Sequence, residues 1–318
     1  MPRTSESTGS PANLRPLIRP ARLRPGDRVA VVAPSGPLVP ERLDRGVAIL
    51  RTWGLEVDVG KHVLEVRRHL AGTDEQRAHD LQSAWCEPAV RAVFAARGGS
   101  GAARIVDLLD WAAMRSAGPR VLVGFSDATV LHQAVANRLG LVTLFGPMVA
   151  SEVFGGDAPD QETVDRLRTT LFDPERAVVI AGRGLRTEVP GRATGVLVGG
   201  TLALLANTVG SPEHRPAAGG LVVLEDIAEP GYRIDSMLTQ LLRTGWFDGA
   251  AGIVLGSWTG CGPDAVAVVA ERLRPLGVPM VSGLPFGHGT PQLTLPLGVA
   301  ARLDADAGTL VLSEPALR

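Results

Sequence analysis

The chain carries 318 residues, 45% of them hydrophobic, with 32 basic against 33 acidic side chains and a formal net charge of −1. That balance excludes a protein whose main work is neutralising phosphate backbones, because such domains gather a basic excess on one face. The length allows one large domain or two of ordinary size, each able to bury a core without disulfides or metals. Lys61 is the only lysine and Tyr232 the only tyrosine, a bias that reads as arginine-favouring codon usage. Cys86 and Cys261 offer neither a disulfide framework nor metal-ligand spacing, so a reducing, cytoplasmic setting without metal is expected. Residues 1–25 hold five prolines and no long apolar run. They read as a disordered tail, not as a signal peptide or membrane anchor.

From residue 28 onward, short β-branched runs alternate with amphipathic stretches, the pattern of βα units around a parallel sheet. Strands are expected at 28–33, 55–59, 90–96, 121–125 and 141–145. Helices are expected at 41–53, 73–86 (opened by the T-x-x-Q capping box of Thr73 and Gln76), 102–109 and 128–139. Residues 26–155 thus read as a doubly wound, flavodoxin-like domain. The pattern weakens over 156–190, which reads as a linker region around one helix at 162–172. Residues 191–318 read as a mixed α/β domain: a Gly-rich segment at 195–200, a helix from 201, strands at 221–224, 252–255, 279–281 and 293–297, and helices at 234–242 and 265–273. Two short strands flank a turn at 304–308.

The strongest local signal is Val121–Thr129, an apolar strand that turns at once into a helix. Ser126 sits at the corner in a G-x-S-x-A pattern similar to a nucleophile elbow. A serine there has its oxygen near a helix N-terminus with free backbone N–H groups for a developing oxyanion; it could equally be an N-cap. A nucleophilic serine needs a base, and the base an orienting acceptor. His62, His69 and His79 lie among charged residues and read as solvated, His132 points poorly from two turns along the same helix, and His214 lies in a Pro-rich loop. His288, between two glycines, is either the base or a turn histidine. Glu225 and Asp226 end an apolar strand and point to opposite sides, so one of them can face a cleft, or both can be solvated there. Arg97-Gly98-Gly99-Ser100-Gly101 lacks the spacing of a nucleotide loop and fits donation of a backbone N–H to an acyl oxyanion better.

Eight ordered segments together resemble the LD-carboxypeptidase family of serine peptidases, which also contains the microcin C immunity proteins: Ala33–Pro37, Leu70–Glu75, Ala96–Gly99 with Gly101, Val123–Asp127, Phe145–Met148, Leu224–Asp226, Tyr232–Asp235 and Gly287–Gly289. The resemblance implies Ser126 as nucleophile, Glu225 as the acid and His288 as the base. It implies a doubly wound N-terminal domain, a C-terminal domain of small β-barrel character, a site formed where the two meet, and a homodimer. The substrate class it implies is a muramoyl tetrapeptide ending in D-alanine, cleaved without a cofactor, with no nucleic acid or membrane partner. Gly98 or Gly99 and Asp127 would supply oxyanion amides, and Arg97 or Arg233 would meet the terminal carboxylate. Ser100 stands where many relatives carry tyrosine, which alters substrate contacts there. Two other readings remain open: a hydrolase of aminoacyl or peptidyl nucleotides, and a non-catalytic two-domain binding protein.

Overall fold

The computed structural model describes residues 13–318. The first half alternates strands β1 (Arg28–Val32), β2 (Glu56–Val59), β3 (Val90–Ala95), β4 (Val121–Gly124) and β5 (Thr143–Phe145) with helices α1 (Pro40–Thr52), α2 (Asp74–Cys86), α3 (Trp111–Ala117) and α4 (Thr129–Leu139). Helices α5 (Glu152–Gly155) and α6 (Gln161–Phe172) follow. The second half contains β6 (Val179–Ala181), β7 (Arg186–Val189), β8 (Arg192–Thr201), α7 (Leu202–Asn207), β9 (Gly220–Ile227), α8 (Gly231–Arg243), β10 (Gly252–Thr259), α9 (Ala265–Leu273), β11 (Met280–Ser282), β12 (Leu295–Leu297), β13 (Ala300–Asp304) and β14 (Thr309–Leu312).

Strands β1 to β5 lie parallel in the order 2-1-3-4-5, the flavodoxin-like doubly wound order with its switch point between β1 and β3. Successive strand residues explain the covering on both faces. Val29 and Val31 face a core with α1 and α6, whereas Ala30 and Val32 face one with α2 and α4, as the period of two requires. Helix α2 begins with the capping box at Thr73 and Gln76.

The second sheet is mixed, in the order β6-β14-β13-β8-β9-β10-β11-β7. Its edge strands are consecutive in the chain: Ala181 ends one and Arg186 begins the other. Eight strands laid flat would separate the edges by about 34 Å, whereas the five peptide units between those residues reach about 17 Å. The sheet must therefore curl strongly, which gives this half its barrel-like character. In β9, Leu221 and Val223 face the core that the curled second sheet shares with β5 and β12, while Val222 and Leu224 face α7, α8 and α9.

The two halves share strands. After β11 the chain leaves the second sheet, and β12 pairs antiparallel with β5 at the edge of the first. The connection at residues 283–294 is thus anchored at each end in a different sheet.

Four sequence expectations are corrected. The tail expected over residues 1–25 is ordered from residue 13: Leu14 N–H donates to Ala218 O at 2.7 Å, Leu17 N–H to Gly298 O at 2.8 Å, and Leu23 is 1% exposed; residues 1–12 lie outside the described residues. The prolines withhold N–H groups without preventing the burial of Leu23 or the partial burial of Leu14 and Leu17. The linker region expected over 156–190 supplies α6 to the first core and β6 and β7 to the second sheet. The Gly-rich segment 195–200 is the heart of the ten-residue strand β8; its glycines allow close approach, since a Cβ on Gly199 would lie 2.1 Å from Val223 O. Residues 102–109 form two short 3₁₀ turns, not an α-helix.

Because Leu23 is buried against the first core, Leu23→Ala is expected to cost about 2–5 kcal/mol, read as a lower urea midpoint. The exposed neighbour Arg24, changed to Ala, should stay within about 0.5 kcal/mol. Equal midpoints for both variants would mean that the segment is not docked.

Candidate active site

Strand β4 runs into α4 through a single turn at Ser126–Ala128. The approach is possible because Gly124 has no side chain: a Cβ there would lie 3.0 Å from Ala128 Cβ and 3.1 Å from Ala95 Cβ. Ser126 takes φ 59°, a left-handed conformation that costs a non-glycine residue free energy. The geometry matches an elbow in place of an ordinary N-cap: the cap positions of the turn and of α4 fall on Phe125 and Ala128, not on Ser126.

The oxyanion candidates lie beside it. At the switch point, Gly36 N–H donates to Gly98 O at 2.9 Å, joining the loops that leave β1 and β3. A Cβ on Gly98 would lie 3.2 Å from Ser126 Oγ, so this backbone passes directly against the serine. Asp127 is buried and its carboxylate accepts from Ala102 N–H at 2.8 Å, which ties the far end of the same loop to the serine turn. Among the described residues the amides of Gly98, Gly99 and Asp127 donate to no protein acceptor. Arg97 is exposed with its guanidinium donating to Pro37 O, and Gly99 and Ser100 are exposed on the loop.

Glu225 and His288 form a pair. Glu225 is fully buried at the C-terminal end of the apolar part of β9. Its Oε2 accepts from His288 Nδ1–H at 2.7 Å and from His288 N–H at 3.0 Å. This fixes the tautomer with Nε2 unprotonated in the neutral ring. Gly287 makes the contact possible, because a Cβ there would lie 2.2 Å from Oε2. Glu225 Oε1 accepts from the Thr201 hydroxyl. Asp226 points the other way, accepting from Ala203 N–H and Ile227 N–H, both at 2.8 Å.

The His288 ring packs against Phe125, centroid to centroid 4.8 Å, one residue before the nucleophile candidate. Within the protein, no hydrogen bond joins Ser126 Oγ to His288. The site therefore holds a preformed Glu–His pair and a strained serine at the junction of the two sheets. Arg233 is not drawn in: it is exposed on α8 and its Nε is 2.5 Å from Glu229 Oε2. Thr201 was not singled out by sequence reasoning. The signal was available only through strand register, since Thr201 is the parallel partner of Glu225.

Two of the other histidines have structural partners. His132 is buried with Nε2 2.9 Å from Gly124 O. His62, expected to be solvated, is half-buried with Nδ1 2.8 Å from Asp80.

Burial shifts two of these groups in opposite senses. It lowers the pKa of His132 from 6.5 to about 4 and raises that of Asp226 from 3.8 to about 6. As pH falls from 6.5 to 4, the unfolded chain protonates at His132 first, removing about 3 kcal/mol of stability. Over nearly the same window the folded chain protonates at Asp226 first, restoring about 3 kcal/mol. The two nearly cancel. Asp226→Asn is therefore expected to lose about 2–3 kcal/mol more stability than the parent between pH 7 and pH 4.5, measured by urea unfolding at both values. Parallel pH profiles for the two proteins would contradict the assignment.

Comparison with known proteins adds to this geometry. Residues 29–146 match the model of the LD-carboxypeptidase N-terminal domain and residues 194–303 that of the C-terminal domain. A Streptomyces coelicolor protein with a provisional carboxypeptidase name is 57% identical, the match covering 96% of this chain and 99% of that one. The murein tetrapeptide carboxypeptidase of Pseudomonas aeruginosa is 35% identical, covering 88% and 94%. Among solved structures, a muramoyltetrapeptide carboxypeptidase from Oxalobacter formigenes superimposes with TM-score 0.76 at 31% identity, covering 90% and 97%. The microcin C7 self-immunity protein MccF superimposes with TM-score 0.85 at 23% identity, covering 94% and 99%, a likeness of fold alone. With both domain models matched in order over a serine elbow and a Glu–His pair, the chain belongs to the LD-carboxypeptidase family.

Proposed function

We propose that the protein is a serine LD-carboxypeptidase that removes the terminal D-alanine from murein tetrapeptides, cleaving at the L-centre of diaminopimelate. The observation that carries this reading is the buried Glu225–His288 pair packed on Phe125 beside the strained Ser126 turn. In the reaction, His288 Nε2 takes the proton of Ser126 Oγ as the oxygen attacks the scissile carbonyl carbon. The amides of Gly98 or Gly99 and of Asp127 receive the oxyanion, and Glu225 holds the imidazolium in place. Collapse breaks the C–N bond, and His288 delivers the proton to the departing D-alanine amine. Water, deprotonated by the same nitrogen, then hydrolyses the ester. That Ser126 Oγ and His288 are not directly hydrogen-bonded is compatible with this chemistry, because catalytic hydrogen bonds commonly tighten only with substrate bound.

The peptide reading is favoured over a nucleotide substrate by the aromatic residues of the segment between the halves. Phe154 and Phe172 pack edge-on against Trp53, with centroids 5.8 and 6.2 Å away. They belong to the first core and are not free to stack on a base. Arg97 is the better candidate for the substrate carboxylate, since it lies on the oxyanion loop itself. The homodimer and the cytoplasmic setting are part of the same reading. Among the described residues, no helix is long and apolar enough to cross a membrane.

Ser126→Ala is expected to lower kcat for D-alanine release from a muramoyl tetrapeptide by about 10⁴-fold or more, with KM little changed. Glu225→Gln should cost about 10²–10⁴-fold. Full activity of Ser126→Ala would overturn the mechanism, and faster turnover of a peptidyl nucleotide than of the tetrapeptide would overturn the substrate class.

A further inference from the structure

We infer that Thr201 is a positioning residue of this site: its hydroxyl holds the Glu225 carboxylate so that His288 is presented to the serine, and its backbone couples that pair to the nucleophile helix. The inference rests on the triad reading above and extends it to a fourth residue and to the junction between the halves.

The argument begins with register. In the parallel pair β8–β9, Thr201 stands directly opposite Glu225, so their side chains project from the same face. Thr201 is 2% exposed and Glu225 is fully buried. A carboxylate with no water must find donors in the protein for both oxygens. Oε2 takes two N–H groups of His288. Oε1 takes one donor, the Thr201 hydroxyl. Without it Oε1 would be a buried, unsatisfied charged acceptor, and the carboxylate could swing toward another partner, releasing Nδ1 of the base. Valine is nearly isosteric but has no donor; serine keeps the donor and loses only a methyl group.

A second contact makes the position more than a local support. Thr201 N–H donates to Thr129 Oγ1 at 3.2 Å, and Thr129 is the first residue of α4, one turn after Ser126. Gly200 admits this approach: a Cβ there would lie 2.9 Å from the Thr129 side chain. One residue thus contacts the helix that follows the nucleophile through its amide and the acid that orients the base through its hydroxyl. The distance between Ser126 and His288 is set through this chain of hydrogen bonds.

The test compares Thr201→Val and Thr201→Ser with the parent enzyme on a muramoyl tetrapeptide. Outer hydrogen-bond partners of metal-ligating residues typically contribute about 10–100-fold, and the same scale is taken for a partner of the orienting acid. The expected result is a fall in kcat of that size for Thr201→Val with KM within about threefold, and recovery to within about threefold in Thr201→Ser. The downfield proton resonance of His288 Nδ1–H, identified by its loss in His288→Gln, should shift in Thr201→Val and return in Thr201→Ser. If Thr201→Val does not fold, Thr201→Ala gives the same reading without a second γ-methyl group to accommodate. A folded variant lacking the hydroxyl with unchanged kcat and an unmoved resonance would overturn the inference, as would a serine variant as impaired as the valine one. The resonance needs no substrate, so it reads the Thr201–Glu225–His288 chain even if activity of Ser126→Ala removes the mechanism.

Discussion

A carboxylate sealed from solvent constrains everything around it. Glu225 has no exposed surface, and ionised acids in such positions persist only when the protein supplies donors in place of water. The donors come from two directions: the end of β8 through Thr201, and the connection between β11 and β12 through the amide and ring of His288. Each imposes a demand on the sequence. The first needs the β8–β9 register that sets residue 201 opposite residue 225. The second needs a residue without a side chain at 287, where even a methyl group would collide with the carboxylate.

The same constraint explains why the molecule is built in two sheets that cannot drift apart. The histidine lies on a connection rooted in the second sheet at β11 and in the first at β12, so its position follows both sheets. The serine comes from the first sheet alone and the acid from the second alone. Hydrophobic packing between the sheets, with Phe145 and Phe286 at ring centroids 5.8 Å apart, supplies cohesion but little directional precision, since dispersion contacts are individually weak and non-directional. Orientation comes from the polar contacts at the seam: Thr201 on Thr129, and the Glu225–His288 pair against Phe125.

Much of this was legible in the sequence because it is local. The alternation of apolar runs and amphipathic stretches gave the doubly wound half, the Thr73–Gln76 spacing gave the start of α2, and Gly124, Ser126 and Ala128 carried the elbow. The opposite orientation of Glu225 and Asp226 followed from the pleat. Features set by tertiary partners were hidden. Strand β8 reads only as a Gly-rich segment because its glycines answer to close neighbours, above all the β9 backbone, and β-propensity is largely a statement about such packing. Residues 13–25 have no periodicity and are held by backbone hydrogen bonds to distant loops, to the end of α6 and to the C-terminal residue, and by one buried leucine. Thr201 is an ordinary threonine until the register is known.

The arginine-rich composition also acquires a structural side. Arg77 is 1% exposed on α2, and its guanidinium donates to the carbonyls of Pro34 and Gly101 and to the carboxylate of Asp74. Pro34 precedes the Ser35-Gly36 turn, and Gly101 closes the loop that carries Gly98 and Gly99. One planar cation thus spans both loops at the switch point from beneath. Lysine, with a single nitrogen on a flexible stem, could not reach three acceptors in these directions while buried. Other arginines, such as Arg28, Arg192 and Arg233, stand in exposed ion pairs, which contribute little. At position 77 the guanidinium ties both loops together, and in the proposed reaction this would fix the direction of the backbone amides offered to the oxyanion. Rigid placement is what makes such donors effective, since dipoles already oriented need no reorganisation as charge develops.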